Sequence, residues 1–233
     1  MNLFKIRATI YRDIREYFTN YAVLTVLLMP PIMALMYSTP ARNVKEDLPD
    51  VMIFILLGTA LASIATNVPL MLYAEENEHG LLKLVTHNVS DLMNGIAGRS
   101  ILVLFVTAAV TVISLLIAGQ VDVLSWPLVS GLGIAALVFL NLGLIAGLLA
   151  KLQSTSTVYG VLVLFLLGMT PIIETFFLND SHLLMKLAEW TPVYQLMAIY
   201  NNAGVMPYVI MLVWLGLTTF SVYLAVLKRA ETL

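Results

Sequence analysis

Apolar residues run through this chain in long unbroken stretches, and the polar residues gather between them. A helix that crosses the hydrocarbon core of a bilayer needs about 20 mainly apolar residues. Six stretches approach that length: Tyr21–Tyr37, Val51–Ala74, Ser100–Val121, Leu124–Ala150, Leu152–Ile173 and Val205–Leu227. The first is short and contains Pro30-Pro31, a pair that can end or kink a helix. The fifth starts a little late, because Gln153-Ser154-Thr155-Ser156 is polar. Further apolar stretches follow the first one, and no small-residue cleavage site does, so it reads as a span rather than a removable signal.

Two other segments have a pattern of their own. In residues 1–20, Leu3, Ile6, Ile10, Ile14 and Tyr17 recur at helical spacing, while Lys5, Arg12, Arg15 and Glu16 lie largely opposite. This predicts an amphipathic helix in the membrane interface, with Arg7 near the apolar stripe and forced to snorkel. A cytosolic helix that merely anchors the first span fits the same pattern. The segment Phe177–Gly204 carries Leu183, Leu184, Leu187, Trp190, Leu196 and Ile199, more apolar side chains than a solvated loop holds. It predicts one or two short re-entrant helices in or on the outer leaflet, broken near Thr191-Pro192. Trp190, Tyr194, Tyr200 and Tyr208 suit the headgroup level.

The expected fold is therefore all-α and integral to the membrane: an interfacial helix over 1–20, then one six-helix transmembrane domain over 21–233. Composition supports it, with 60% hydrophobic and 11% charged residues; a soluble domain carries roughly 25% charged residues. There is no cysteine, which removes disulfides, thiol catalysis and thiolate metal sites. A net charge of -2 gives no footing for nucleic-acid binding. With the N-terminus inside and six spans, nine of the twelve Lys and Arg residues fall on the cytoplasmic side; Arg42, Lys45 and Lys186 fall outside. That bias predicts a multi-pass plasma-membrane protein with both termini cytoplasmic.

The connection between the second and third spans carries the most chemistry. It reads Glu75-Glu76-Asn77-Glu78-His79-Gly80-Leu81-Leu82-Lys83-Leu84-Val85-Thr86-His87-Asn88-Val89-Ser90. Three carboxylates suit a helix N-terminus, and Leu81, Leu84 and Val85 at i, i+3, i+4 make a short apolar face. A short amphipathic helix of this kind, over 75–88, wants a protein partner. In this segment, and in its order of elements, the chain resembles the membrane subunits of ABC-2 type transporters. Their loop at this place is similar to Glu-Glu-x-Glu-x-Gly, a Leu-rich helix and a Pro-Val-Ser-like end. Here Asn88 stands where the family usually has proline, and the helix is about one residue short.

The resemblance implies that Glu75, Glu76, Glu78, Gly80, Leu81, Leu84 and Val85 form a coupling helix, seated in a groove of a separate ATP-binding cassette ATPase subunit. It implies a pair of permease subunits, with ATP and Mg bound by the partner ATPase and no cofactor in this chain. It also implies an export permease, similar to the compact kind associated with antimicrobial-peptide or drug export and immunity. The nearly uncharged spans suit a hydrophobic or amphipathic cargo. A lipid-linked polysaccharide exporter of the same fold, and a non-transporting assembly or sensor subunit, stand as alternatives.

The chain itself has no phosphate-binding Gly-x-x-x-x-Gly-Lys-Ser/Thr, and no lysine in it precedes Ser or Thr. His79, His87 and His182 are scattered, so no metal site is expected, and no catalytic constellation lies in the spans. Thr59, Ser63, Thr66 and Asn67 fall at i, i+4, i+7, i+8 on one helix face. They could line a translocation path or serve as interhelical glue, and Asn141 has the same two readings. Gly143 and Gly147 form a close-packing pair. Glu174, after Thr170-Pro171, is a candidate outer gate or a helix-end carboxylate, with Lys186 a possible partner.

Overall fold

A computed structural model describes residues 2–44, 48–82, 88–176 and 183–230, which are helical with short connections and contain no strand. Helix α1 spans Leu3–Thr19 and α2 Tyr21–Val44. Helix α3 runs unbroken over Asp50–Glu78, and α4 over Val89–Ala118. Helix α5 is Trp126–Leu149 and α6 is Gln153–Gly168. Three short helices follow, α7 Ile172–Phe176, α8 Leu183–Ala188 and α9 Pro192–Tyr200, before α10 over Met206–Ala230.

Five helices, α2, α3, α4, α5 and α10, are long and apolar enough to cross a membrane. The sixth expected span, α6, is a shorter apolar helix of residues 153–168. The outward faces explain why water is the wrong solvent: Phe105, Phe165, Leu166 and Phe220 are all more than half exposed. A continuous apolar surface of this kind marks a multi-pass membrane protein.

Several boundaries differ from the sequence reading for physical reasons. Pro30-Pro31 does not break α2, which stays helical to Val44; proline is tolerated in spanning helices, where neighbours compensate the lost backbone bonds. Helix α3 extends past Ala74 and takes in the acidic residues as its last turn. Those residues therefore do not open a separate helix over 75–88, and Gly80, at φ +68°, sits just beyond the helix end. Helix α4 starts at Val89 rather than Ser100, capped by Asn88, whose side chain accepts from the Asp91 N–H. Arg99 is consequently inside a helix, not in front of one. The segment from 183 to 204 holds α8 and α9, with Pro192 in the first turn of α9. Residues 177–182, including His182, lie outside the described residues, as do Lys83, Leu84, Val85 and His87.

Helix α3 is the centre of the bundle. In its most apolar stretch 83% of residues are buried, against 22% in α2 and in α10. Glycines let its neighbours approach: a Cβ on Gly143 would stand 2.3 Å from the Thr66 carbonyl oxygen, and one on Gly147 would stand 3.0 Å from Leu70 Cα. This is the close packing expected of the Gly143 and Gly147 pair, and its partner is α3. At the opposite end α9 wedges in. Leu196 and Ile199 pack on Gly131 of α5, and the Tyr200 ring lies 5.6 Å from that of Phe54.

Two π-helical turns pack against each other, the buried Leu61–Thr66 within α3 and Leu164–Gly168 at the end of α6, which turns Leu164 and Gly168 inward and Phe165 and Leu166 outward. Such turns are uncommon and often mark functional places.

Candidate functional site

The last turn of α3 places four polar side chains in succession: Glu75, Glu76, Asn77 and Glu78. Successive helical residues turn by about 100°, so four of them cover the whole circumference. Each side chain here reaches a different neighbour.

Glu75 accepts a hydrogen bond at 3.0 Å from the side-chain amide of Asn20, the joint between α1 and α2. Asn20 also caps α2, accepting from the Ala22 N–H at 3.0 Å. Glu76 accepts from Arg99 of α4 at 2.8 Å and pairs with Arg12 of α1 at 2.6 Å. Asn77 donates to the Gly147 and Ala150 carbonyls at the end of α5, at 3.0 and 2.8 Å. It also accepts from the Arg229 guanidinium of α10. Glu78 accepts at 2.7 Å from the Gln153 N–H, one of the donors left open at the start of α6. The ends of α2, α5, α6 and α10, with Arg12 of α1 and Arg99 of α4, thus meet on one turn of α3. Carboxylates at a helix C-terminus are disfavoured by the helix dipole; the positive groups around this turn offset that.

Arg99 is the largest fully buried side chain, 1% exposed. Its Nε and Nη2 donate to the two oxygens of Asp13 at 2.7 and 3.2 Å, a bidentate pair, and its guanidinium lies 4.0 Å from the Tyr73 ring centre. Asp13 is 0% exposed. With Arg12 and Glu76 the cluster holds two positive and two negative charges. A buried charge of this kind is tolerable only when paired and hydrogen-bonded.

The cluster adds a charged member to the buried face of α1. Its buried face is Ile6, Asp13 and Tyr17, seated on α4, where a Cβ on Gly98 would stand 2.8 Å from the Ile6 carbonyl oxygen. Burial beside Asp13 pushes the Tyr17 phenol well above its ordinary range. The exposed face carries Phe4, Tyr11 and Phe18, at heptad spacing, with Arg7 over the Tyr11 ring. Helix α1 is therefore tied to the bundle by ion pairs, including Lys5 to Asp91 at 2.5 Å, while an aromatic stripe faces out.

Beyond Gly80, Leu82 is buried and Leu81 is 46% exposed. Next to them lies a cavity of about 470 Å³ walled by Lys5, Arg12, Glu76, Leu82 and Asp91. Leu84 and Val85, expected on the same apolar face, lie outside the described residues.

The other expected site residues are scattered. Thr59, Ser63 and Thr66 are fully buried within the chain's own bundle. Thr66 donates to the Phe139 carbonyl at 2.7 Å, an interhelical bond to α5. Thr59 Oγ1, Ser63 Oγ and Asn67 Oδ1 are buried with no hydrogen-bond partner among the described residues. Asn141 donates to Thr218 and Thr219 of α10 at 3.3 and 3.0 Å. Glu174 sits in α7, half-buried, and no ion pair joins it to Lys186 among the described residues. No group of three or more potential metal ligands occurs among them either.

The Asp13–Arg99 pair escaped the sequence reading. Its signal was a lone arginine ahead of an apolar run, together with a carboxylate seven residues after Ile6 and four before Tyr17, hence on their face.

Asn77 offers a direct check on the hub. Asn77→Ala removes both donors to the α5 carbonyls and the acceptor for Arg229. The expected loss is about 1–3 kcal/mol, read as a lower unfolding temperature of the purified protein, with Asn77→Asp recovering only the Arg229 contact.

No protein-family model matches this chain, and no curated protein matches it.

Proposed function

We infer that this chain is the permease subunit of an ABC-2 type exporter, driven by a separate ATP-binding subunit. The observation that carries the reading is the last turn of α3. A push on Leu81 and the residues after it meets, within one or two turns, a group of contacts to α1, α4, α5, α6 and α10. A coupling element needs that property, because a local force must move several spanning helices together.

The bundle geometry agrees with an even number of crossings. Lys5 of α1 pairs with Asp91 at the start of α4, and Arg229 near the end of α10 meets Asn77 at the end of α3. Both ends of the described chain thus lie at one end of the bundle. In this reading that end is cytoplasmic, and α6 with α7 supplies the sixth crossing. The cargo class is a hydrophobic or amphipathic molecule, a peptide or a drug-like compound. Among the described residues the buried ion-pair cluster sits at the acidic end, which leaves the rest of the spanning region nearly free of charge, though not of polar side chains.

The test uses Leu81, which is exposed and leaves the core untouched when replaced. The intact chain, purified from its own membranes in mild detergent, should carry an ATP-hydrolysing subunit. Leu81→Asp should lose that subunit while keeping the unfolding temperature. An ATPase-free chain, or an unchanged complex with Leu81→Asp, would sink the assignment.

A further inference from the structure

The buried face of α1 is spent on the bundle, and a second face is left outward. Phe4, Tyr11 and Phe18 on it each stand at least 60% exposed. Seven helical residues make nearly two whole turns, so the three rings form one line along α1. Arg7 and Arg15 lie four residues before and after Tyr11, about 40° to either side of that line. Both are exposed, and among the described residues neither pairs with a carboxylate. Arg7 gives one of its five N–H groups to the Tyr11 hydroxyl at 3.2 Å, which leaves four.

The charges of α1 are sorted around the helix. Lys5 and Arg12, on another side, pair with Asp91 and Glu76. Asp13 is buried, and Glu16 sits about 140° around the helix from Tyr11. The outward face therefore holds rings and cations and no carboxylate. It matches a surface that is apolar beneath and anionic above. The contacts of α1 fix its level. Gly98 of α4 packs on the Ile6 carbonyl, and Arg99 holds Asp13. Directly after these two residues α4 runs without a charge from Ser100 to Val121. Helix α1 thus lies where hydrocarbon gives way to headgroups. Beyond Asn20 the chain enters α2, whose Tyr21, Leu28 and Leu35 are exposed as well. An acidic protein surface would match the charges, but this level and these apolar neighbours favour lipid.

We propose that the outward face of α1 binds the anionic phospholipids of the adjoining leaflet. Phe4, Tyr11 and Phe18 enter the boundary of headgroups and acyl chains, and Arg7 and Arg15 take the acidic headgroups on either flank. The inference rests on the membrane reading and not on the transport reading. It gives α1 two faces with separate tasks, one held to the bundle through Asp13 and Arg99 and one held to charged lipid.

The chain has no cysteine, so one introduced thiol can carry a fluorophore. Phe4→Cys reports on Arg7 and Phe18→Cys on Arg15, each three residues away; Phe220→Cys on the exposed face of α10 checks that the chain is in the bilayer. The labelled full-length proteins are reconstituted in phosphatidylcholine vesicles with traces of spin-labelled phosphatidylglycerol or spin-labelled phosphatidylcholine as quencher. Both lipids should quench all three positions. Phosphatidylglycerol should be preferred at 4 and 18 but not at 220. Arg7→Gln should lower the preference at 4 about fivefold, and Arg15→Gln that at 18, from roughly 1 kcal/mol per basic residue at an anionic surface. Added salt should weaken it, because both arginines are exposed. Equal quenching by the two headgroups at 4 and 18, or a preference that survives both arginine variants, overturns the proposal. So does quenching at 220 with none at 4 and 18, which would put water or a protein against the aromatic line.

Discussion

Replacing Arg99 with leucine should cost about 3–5 kcal/mol, because it strands a buried carboxylate rather than merely deleting a contact. Asp13 has no exposure and takes two hydrogen bonds from Arg99. Arg12, its other cationic neighbour, approaches at 3.2 Å but is 41% exposed and already shared with Glu76. The energetic asymmetry of ion pairs sets the design of the test. Removing one partner is expensive, whereas replacing both with apolar groups of similar size is often close to neutral. Arg99→Leu alone should lower the unfolding temperature sharply and expose the α1–α2 joint at Asn20 to protease. Adding Asp13→Leu to Arg99→Leu should recover much of the loss, leaving Glu76 to Arg12. Wild-type stability in the single variant would show that the cluster does not hold α1 in place.

The second large effect is expected at Gly58. A Cβ there would stand 1.9 Å from the Gly168 carbonyl oxygen and 2.9 Å from its carbon. Those are backbone atoms, so no side-chain rotation relieves the clash; α3 and α6 must separate. Even alanine should cost about 1–3 kcal/mol, the usual range for overpacking, despite its better helix propensity. Because Gly58 and Gly168 border the two π-helical turns, the separation should also disturb their contact. Gly216→Ala on α10, where a Cβ meets nothing within 4 Å, is the control and should be neutral. Thermal unfolding of both proteins in one detergent separates the cases. Equal behaviour of the two variants would remove the proposed close contact of α3 and α6.

The same residues show why Glu76 is a poor target for testing coupling. Reversing it to lysine sets a positive charge against Arg99 and Arg12. Lost activity would then report a broken bundle. Leu81 avoids this ambiguity, being half-exposed beyond the helix end.

Much of the fold is legible along the chain, since the property that defines a span is local. A helix in lipid satisfies its backbone within itself, so length and apolarity suffice to find α2, α3, α4, α5 and α10. The break at Thr191-Pro192 and the amphipathic nature of residues 1–20 are local in the same sense. Even so, the boundaries slipped where charge continued a helix. Glu75–Glu78 looked like a beginning and is an end, because partners on other helices compensate the unfavourable dipole there.

What tertiary structure alone decided is the partnership of each polar residue. The apolar pattern of α1 did not show that Asp13 belongs to the buried face, because burying it depends on Arg99, 86 residues away. Four consecutive polar residues announce that something surrounds the end of α3; only packing says that Glu75 meets Asn20, Glu76 meets Arg99, Asn77 meets α5 and Arg229, and Glu78 meets α6. Likewise a glycine reads the same whether a neighbour fills its missing Cβ, as at Gly143, or nothing does, as at Gly133. The sequence by itself determined that five helices are long and apolar enough to cross a membrane, and their approximate places along the chain. The contacts among the helices decided which side chains are paired, buried or left open, because those depend on distances between segments that no local pattern records.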